Sequence, residues 1–222
     1  MEDFDVAETC YRAALQLDDS HDAVWYNLAN LLMMVRRDIE GAEAAYRRAI
    51  ARNPNCAMAH CNLGVLLEDE KADHTGAEHE YRMAIAIDPN YARAYSNLGV
   101  LLDSVHKDYS AAEAHYRRAI AIDPNHALGH YNLGILLEHV TEDFAAAEEA
   151  FRAALKINER DADAWYNLAH LQLHRLKDID AAIASVRKTI ALEPKDTSAP
   201  KLLKKALSRQ RKCKAQQPVP EE

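Results

Sequence analysis

Glycine and proline are scarce in this chain, at six and seven of 222 residues. An all-β fold needs turn residues at short, regular intervals, so the composition argues against one. Aromatic residues reach only 7% although hydrophobic residues reach 49%, because alanine supplies much of the apolar share. Alanine favours helix and takes little room, which suits closely packed helices. No apolar run approaches the ~20 residues of a membrane span, and the opening Met1-Glu2-Asp3-Phe4 is no signal peptide. The four cysteines, at 10, 56, 61 and 213, are unevenly spaced, so no disulfide framework is expected. A reducing compartment fits them, cytoplasmic or nuclear. A Gly-rich phosphate loop, a nucleophile elbow and a paired catalytic carboxylate are missing too, so neither enzyme activity nor a cofactor is expected.

The formal net charge is −8, unevenly spread. Residues 201–214 hold seven basic side chains and no acidic one, which leaves 33 acidic against 20 basic groups in residues 1–200. A body of that sign repels phosphate backbones, so nucleic acid is excluded as its expected partner.

What the chain does contain is a repeat, which decides the fold before any local signal does. The pentads starting at Trp25, His60, Tyr95, His130 and Trp165 each carry Asn third and Leu fourth, so Asn27, Asn62, Asn97, Asn132 and Asn167 fall at a strict interval of 35. Pro54, Pro89, Pro124 and Pro194 keep the same interval, with Glu159 in the vacant place. Between them runs Ala-x3-aromatic-x2-Ala: Ala42, Tyr46, Ala49, then Ala77, Tyr81, Ala84, then Ala112, Tyr116, Ala119, then Ala147, Phe151, Ala154. A fifth copy, Ala182, Val186, Thr189, is degenerate.

Each unit reads as two helices. In the third copy Tyr95, Leu98, Gly99 and Leu102 lie at i, i+3, i+4 and i+7, one apolar face of a helix over about 92–105. Ala112, Tyr116, Ala119 and Ile120 line a second helix over about 110–122, with Asp108 placed to cap its start and Pro124 to stop it. Gly or Ala at 29, 64, 99, 134 and 169 lets the two helices approach, and the aromatic of the second fills the adjoining space. No unit covers its own apolar face, so stacking creates the core.

Aromatic-x2-Leu-Gly/Ala, Ala-x3-aromatic-x2-Ala and a closing Pro together resemble the tetratricopeptide repeat. The resemblance implies an all-α fold: an α-solenoid of stacked antiparallel helix pairs in a right-handed superhelix. It divides the chain into an N-terminal half repeat (3–21, second helix only), five repeats (22–56, 57–91, 92–126, 127–161 and 162–196), a capping helix (197–212) and a disordered tail (213–222). The period departs from the family's usual 34, and the inter-helix turn holds Arg37, Ala72, Lys107, Glu142 or Lys177 where Gly is usual. The extra residue is expected to turn the corner without a positive φ. In the half repeat, Ala7, Tyr11 and Ala14 sit one period before Ala42, Tyr46 and Ala49. That half unit leaves apolar surface uncovered, so a chain cut from a longer protein, or self-association through this end, is expected. In the capping helix, Leu203 and Leu207 take the register of Leu168 and Gln172, and Lys201, Lys204 and Lys205 are expected to face out.

The resemblance implies a non-catalytic scaffold or adaptor that binds a partner peptide or helix in a concave groove lined by the first helices. Carried over by position, that surface includes Asn27, Asn62, Asn97, Asn132 and Asn167; an apolar row of Val65, Val100 and Ile135, ended by Asn30 and His170; and an acidic row of Glu68, Asp103 and Glu138. An amide offers donor and acceptor to a peptide backbone, although the ladder can equally brace adjacent layers. The apolar and acidic rows favour an apolar ligand carrying Lys or Arg.

At the positions that match the heat-shock-protein clamps of this family stand Tyr26, Asn30, Asn62, Arg93 and Asn97; two Asn and one cation of the clamp survive but its decisive Lys and Arg do not, so that subfamily is disfavoured. The Asn ladder is similar to that of O-linked N-acetylglucosamine transferase, whose catalytic domain is absent. The alternative reading is therefore a substrate-docking module of a larger enzyme such as a glycosyltransferase. His139, His170 and His174 could approach one another, but no carboxylate or Cys completes a tetrahedral set, and no metal is expected. The basic run 201–214 reads as a solubilising cap, with an acidic protein, nucleic acid or anionic surface as its rival targets.

Overall fold

A computed structural model describes residues 2–215 of the chain. Twelve helices and no strand occur among the described residues, in two compact units, Met1–Ile122 and Asp123–Glu222. The first unit holds α1 (Glu2–Leu17), α2 (Asp22–Leu31), α3 (Ile39–Arg52), α4 (Ala57–Asp69), α5 (His74–Ile87), α6 (Ala92–Leu101) and α7 (Tyr109–Ile122). The second holds α8 (Ala127–Leu136), α9 (Phe144–Ile157), α10 (Ala162–Leu171), α11 (Ile179–Leu192) and α12 (Ser198–Ala215). Within each unit the first and second helices of a repeat pack as pairs, α2 on α3, α4 on α5, α6 on α7, α8 on α9 and α10 on α11. Each second helix also touches the first helix that follows it in the same unit, as α3 touches α4 and α9 touches α10.

The inter-helix corner corrects one expectation. Arg37, Ala72, Lys107, Glu142 and Lys177 all have positive φ, between 52° and 59°. After α6 the backbone widens into a π-helical turn, Leu102–His106, and the Leu102 carbonyl accepts from both Lys107 N–H and Asp108 N–H, the latter at 3.0 Å. Leu32, Leu137 and Gln172 likewise accept from two N–H groups each, the second being Asp38, Asp143 or Asp178; after α4, which stays α-helical to Asp69, Leu67 accepts from Asp73 at 2.8 Å. The extra residue therefore widens the last turn while keeping its left-handed step, even though a Cβ there crowds the carbonyl by roughly 1–2 kcal/mol relative to glycine.

The next residue starts the second helix. Asp38, Asp73, Asp108, Asp143 and Asp178 each accept from the N–H three residues on, at 2.9–3.1 Å, satisfying one orphan donor of the helix start. At the other end Asp18, Asn53, Asp88, Asp123 and Asn158 each accept from the N–H two residues on, an Asx turn that redirects the chain at every repeat boundary.

The aromatic register is the core. Tyr46, Tyr81, Tyr116 and Phe151 are at most 1% exposed. A Cβ on Gly64 or Gly99 would stand 2.7 Å from a ring carbon of Tyr81 or Tyr116, and one on Gly134 2.9 Å from Phe151, so a side chain there would force the ring to shift; the first repeat holds no more than Ala29 opposite Tyr46. In the fifth repeat Ala169 replaces Gly and Val186 the ring, and both are fully buried. Full burial of one such large apolar side chain contributes about 1.5–3 kcal/mol.

One expectation for the C-terminal end is corrected. Helix α12 runs to Ala215, so 213–215 is helical where a disordered tail was expected; the rest of that tail, 216–222, lies outside the described residues. The stripe that docks α12 is Ala199, Leu202 and Ala206, against Ala182, Ile183 and Val186. Leu203 and Leu207 are half-buried and pack against this cluster, and Lys201, Lys204 and Lys205 are exposed as expected.

Candidate functional site

The 35-residue period puts equivalent residues of α2, α4 and α6, and of α8 and α10, on matching helix faces. Asn27 is exposed, Asn97, Asn132 and Asn167 are half-buried, and Asn62 is 8% exposed. The amide nitrogens reach back to the layer before. Asn62 Nδ2 donates to Tyr26 Oη at 3.1 Å and Asn30 Oδ1 at 3.0 Å, Asn97 Nδ2 donates to Cys61 Sγ at 3.6 Å, and Asn167 Nδ2 donates to Tyr131 Oη at 2.9 Å. Tyr46 Oη adds a 2.6 Å bond to the same Asn30 Oδ1. The donor half of these amides is thus committed to bracing neighbouring helices. At Asn62 the acceptor is inaccessible too, and Asn132 Nδ2 is buried without a partner. Sequence reasoning weighed this role without its contact, a residue 36 positions back that no local pattern marks.

The apolar row fits a binding face better. Val65, Val100 and Ile135 are each half-buried. The acidic row divides. Glu68 and Asp103 are half-buried, and burial raises both carboxyls above their ordinary values. Tyr81 Oη donates to Glu68 at 2.8 Å and partly offsets that effect, while Lys107 does so for Asp103. Glu138 departs from the expected open row: it is 2% exposed, turned inward beside His170 Nδ1 at 3.4 Å.

Nothing nucleophilic accompanies these rows. Burial pushes the fully enclosed Cys61 thiol up, only partly countered by Arg93, so it stays protonated and inert. Tyr91 beside it is pushed up to about 12, mainly by burial. His170 and His174 stack at 4.3 Å, but His174 Nδ1–H donates to the His170 carbonyl at 3.0 Å and its Nε2 accepts from Lys205 Nζ at 2.8 Å. Both ring nitrogens are engaged, and among the described residues no group of three His, Cys, Asp or Glu is arranged to hold a metal ion.

The position opening the pentad has a polar role in four of the five repeats. Trp25 Nε1 donates to the Asp19 carbonyl at 3.0 Å and Trp165 Nε1 to the Glu159 carbonyl at 2.9 Å; His60 Nε2 and His130 Nε2 reach the carbonyls of Pro54 and Pro124, both at 3.1 Å. In these four repeats the ring nitrogen latches the first helix to the turn six residues before it, whereas Tyr95 of the third packs against His115 instead. The alternation of Trp and His at this position was the available signal, since the two share a ring N–H donor.

Comparison with known proteins agrees with this architecture. A family model described as tetratricopeptide repeat matches residues 34–92 and 141–197, and one described as TPR repeat matches 107–139. No curated protein sequence gives a significant match. Among solved structures, the APC/C hetero-tetramer Cut9–Hcn1 superposes with a TM-score of 0.77 at 21% identity, over 92% of this chain and 39% of that one. PilF of Pseudomonas aeruginosa gives 0.75 at 22% identity over 87% of each chain. YrrB, described as a TPR protein with an unusual peptide-binding site, gives 0.62 at 21% identity over 90% of this chain and 97% of that one. This chain therefore spans less than half of the first relative and most of the other two. At these identities the likeness establishes the shared fold. No helix among the described residues is long and apolar enough to cross a membrane.

Proposed function

The chain belongs to the tetratricopeptide repeat family, a fold of protein–protein interaction scaffolds, and from that premise we propose that its first-helix faces bind a partner segment that is apolar and carries Lys or Arg. The supporting observation is the pairing, on α4 and α6, of half-exposed Val65 and Val100 with the half-buried carboxylates Glu68 and Asp103 one turn along. Burial has already removed part of the water around those carboxylates. A ligand cation beside them restores favourable interactions that the free protein lacks, and a hydrogen bond to a charged group contributes about 1.5–3 kcal/mol. The valines supply the dry contact between. The exposed Asn27 keeps both halves of its amide for a ligand backbone, whereas Asn97 offers the acceptor half. Three first helices at ~10 Å spacing accommodate roughly six residues of extended chain at ~3.3 Å each.

Selection from an unbiased peptide library tests this reading, with wild type compared against the double variant Val100→Ser, Asp103→Asn. Apolar peptides with Lys or Arg are expected from the wild type and lost by a variant of unchanged helix content. Identical selections from both proteins contradict it.

A further inference from the structure

In the second repeat Glu80 of α5 reaches the ring of His60 at 2.6 Å, and in the third His115 of α7 packs on Tyr95 with ring centroids 5.8 Å apart. Ser185 of α11 holds that register in the fifth repeat, opposite Trp165. It donates instead to Gln172 Oε1 at 2.8 Å. In the first repeat Ala45 is as small, but there Arg52 reaches the Asp19 carbonyl at 3.1 Å, the same carbonyl that accepts from Trp25 Nε1. Around Trp165 the space stays open as a groove of about 370 Å³ between α9 and α11, with α10 as its floor. Leu155, Leu168, Ala181 and Ala184 line it. The polar groups beside them are satisfied among themselves. Arg152 pairs with Glu148 at 2.8 Å, Gln172 Nε2 donates to Glu148 at 2.9 Å, and Ser185 completes the chain. Trp165 Nε1 is committed to the Glu159 carbonyl, so the half-buried indole turns only apolar surface to the groove.

We infer that this groove is a second protein-binding site, for a partner segment that inserts an aromatic or branched apolar side chain against Trp165 and carries Asp or Glu beside it. Charge selects this occupant. Lys188 Nζ stands 5.9 Å from the centre of the indole ring, and Lys156 is exposed on α9 across the groove. Neither ammonium has a carboxylate within ion-pair distance among the described residues. Glu159 is the one acidic residue lining the groove among those described. A partner carboxylate therefore gains charge-assisted contacts at the rim, whereas a partner cation would face two unpaired ammonium groups. An open tryptophan face with charge around it is where binding energy concentrates in protein interfaces. The inference is independent of the peptide-binding proposal: it concerns the other compact unit, uses neither Val100 nor Asp103, and selects a ligand of the opposite charge.

The test uses the full chain with Trp25→Phe, which leaves Trp165 as its single tryptophan. Peptides selected from an unbiased displayed library are titrated while Trp165 emission is followed. Apolar peptides carrying Asp or Glu are expected to shift that emission as they bind. Lys156→Glu combined with Lys188→Glu should weaken them about tenfold or more, the loss of one charge-assisted contact. Ala184→Leu, which fills the groove without changing its charge, should weaken them as well. All three sites are exposed, so the fold is retained, as circular dichroism verifies. A library that yields no such peptide, binding that leaves Trp165 emission unchanged, or affinities that both variants leave intact would overturn the inference.

Discussion

Two histidines show how one side-chain type is put to opposite uses. His60, buried between α4 and α5, has Nδ1 at 2.6 Å from Glu80 and Nε2 at 3.1 Å from the Pro54 carbonyl, so both nitrogens donate and the ring is held as the cation. Burial alone would lower its pKa, but the Glu80 carboxylate outweighs it and the net shift is upward from 6.5. His174 faces the opposite environment. Burial lowers its pKa below 6.5, the bond to the His170 carbonyl offsets part of that, and the charges of His170, Lys205 and Arg209 add to the lowering. Its Nε2 accepts from Lys205 only while the ring is neutral. The signs follow by linkage. The His60 contribution is complete below the unfolded value and is lost as pH rises through the higher folded value. The His174 contribution is complete above the unfolded value and is lost as pH falls through the lower folded one. Urea titrations of wild type, His60→Gln and His174→Gln across pH 5.5–7.5 (about one unit either side of the ordinary histidine value) should show the wild-type advantage over His60→Gln shrinking as pH rises. The advantage over His174→Gln should shrink as pH falls. Parallel trends for the two variants would contradict these assignments.

At the scale of the helix pair, the recurring devices are the aspartate cap, the Asx turn, the aromatic against glycine, and the widened corner. The first and third were legible from sequence because they depend on residues a few positions apart: Asp108 before a helical run, or Gly99 and Tyr116 recurring with a fixed spacing. The corner was not. Arginine, alanine, lysine and glutamate at 37, 72, 107, 142 and 177 gave no sign of positive φ, which is ordinarily read from glycine. The period of 35 was the relevant clue, and its physical meaning is a left-handed step at the corner, reached in four of the five repeats through a π turn in which one carbonyl serves two N–H groups. Replacing Lys107 (φ 56°) by glycine removes the Cβ crowding. Lys107→Gly is therefore expected to raise unfolding free energy by about 1 kcal/mol in a denaturant titration, the left-handed penalty less the added unfolded-state entropy of glycine. A loss of 1 kcal/mol or more (the ordinary cost of glycine within a helix) would show that this corner is not left-handed.

At the scale of the whole chain, the repeat determines which residues share a face, and neighbouring layers determine which of them remain available. Sequence position alone put the asparagine, apolar and acidic rows together on first-helix surfaces. It could not tell that Asn62 and Asn167 turn their amides onto Tyr26 and Tyr131, or that Glu138 turns inward beside His170, because those contacts join residues more than 30 positions apart. Val65, Val100, Glu68 and Asp103 remain partly open after that sorting, and they form the apolar and anionic face proposed here. Its central claim is that a ligand cation meets Asp103. A charge exchange tests this most directly: the affinity of a selected peptide and of its Lys→Glu counterpart is measured against wild type and Asp103→Lys. The account predicts about a tenfold or greater loss for either change alone, as expected for one charge-assisted contact, and recovery of most of that loss when both are made together. Independent, additive losses with no recovery would contradict it and place the ligand's charge elsewhere on the chain.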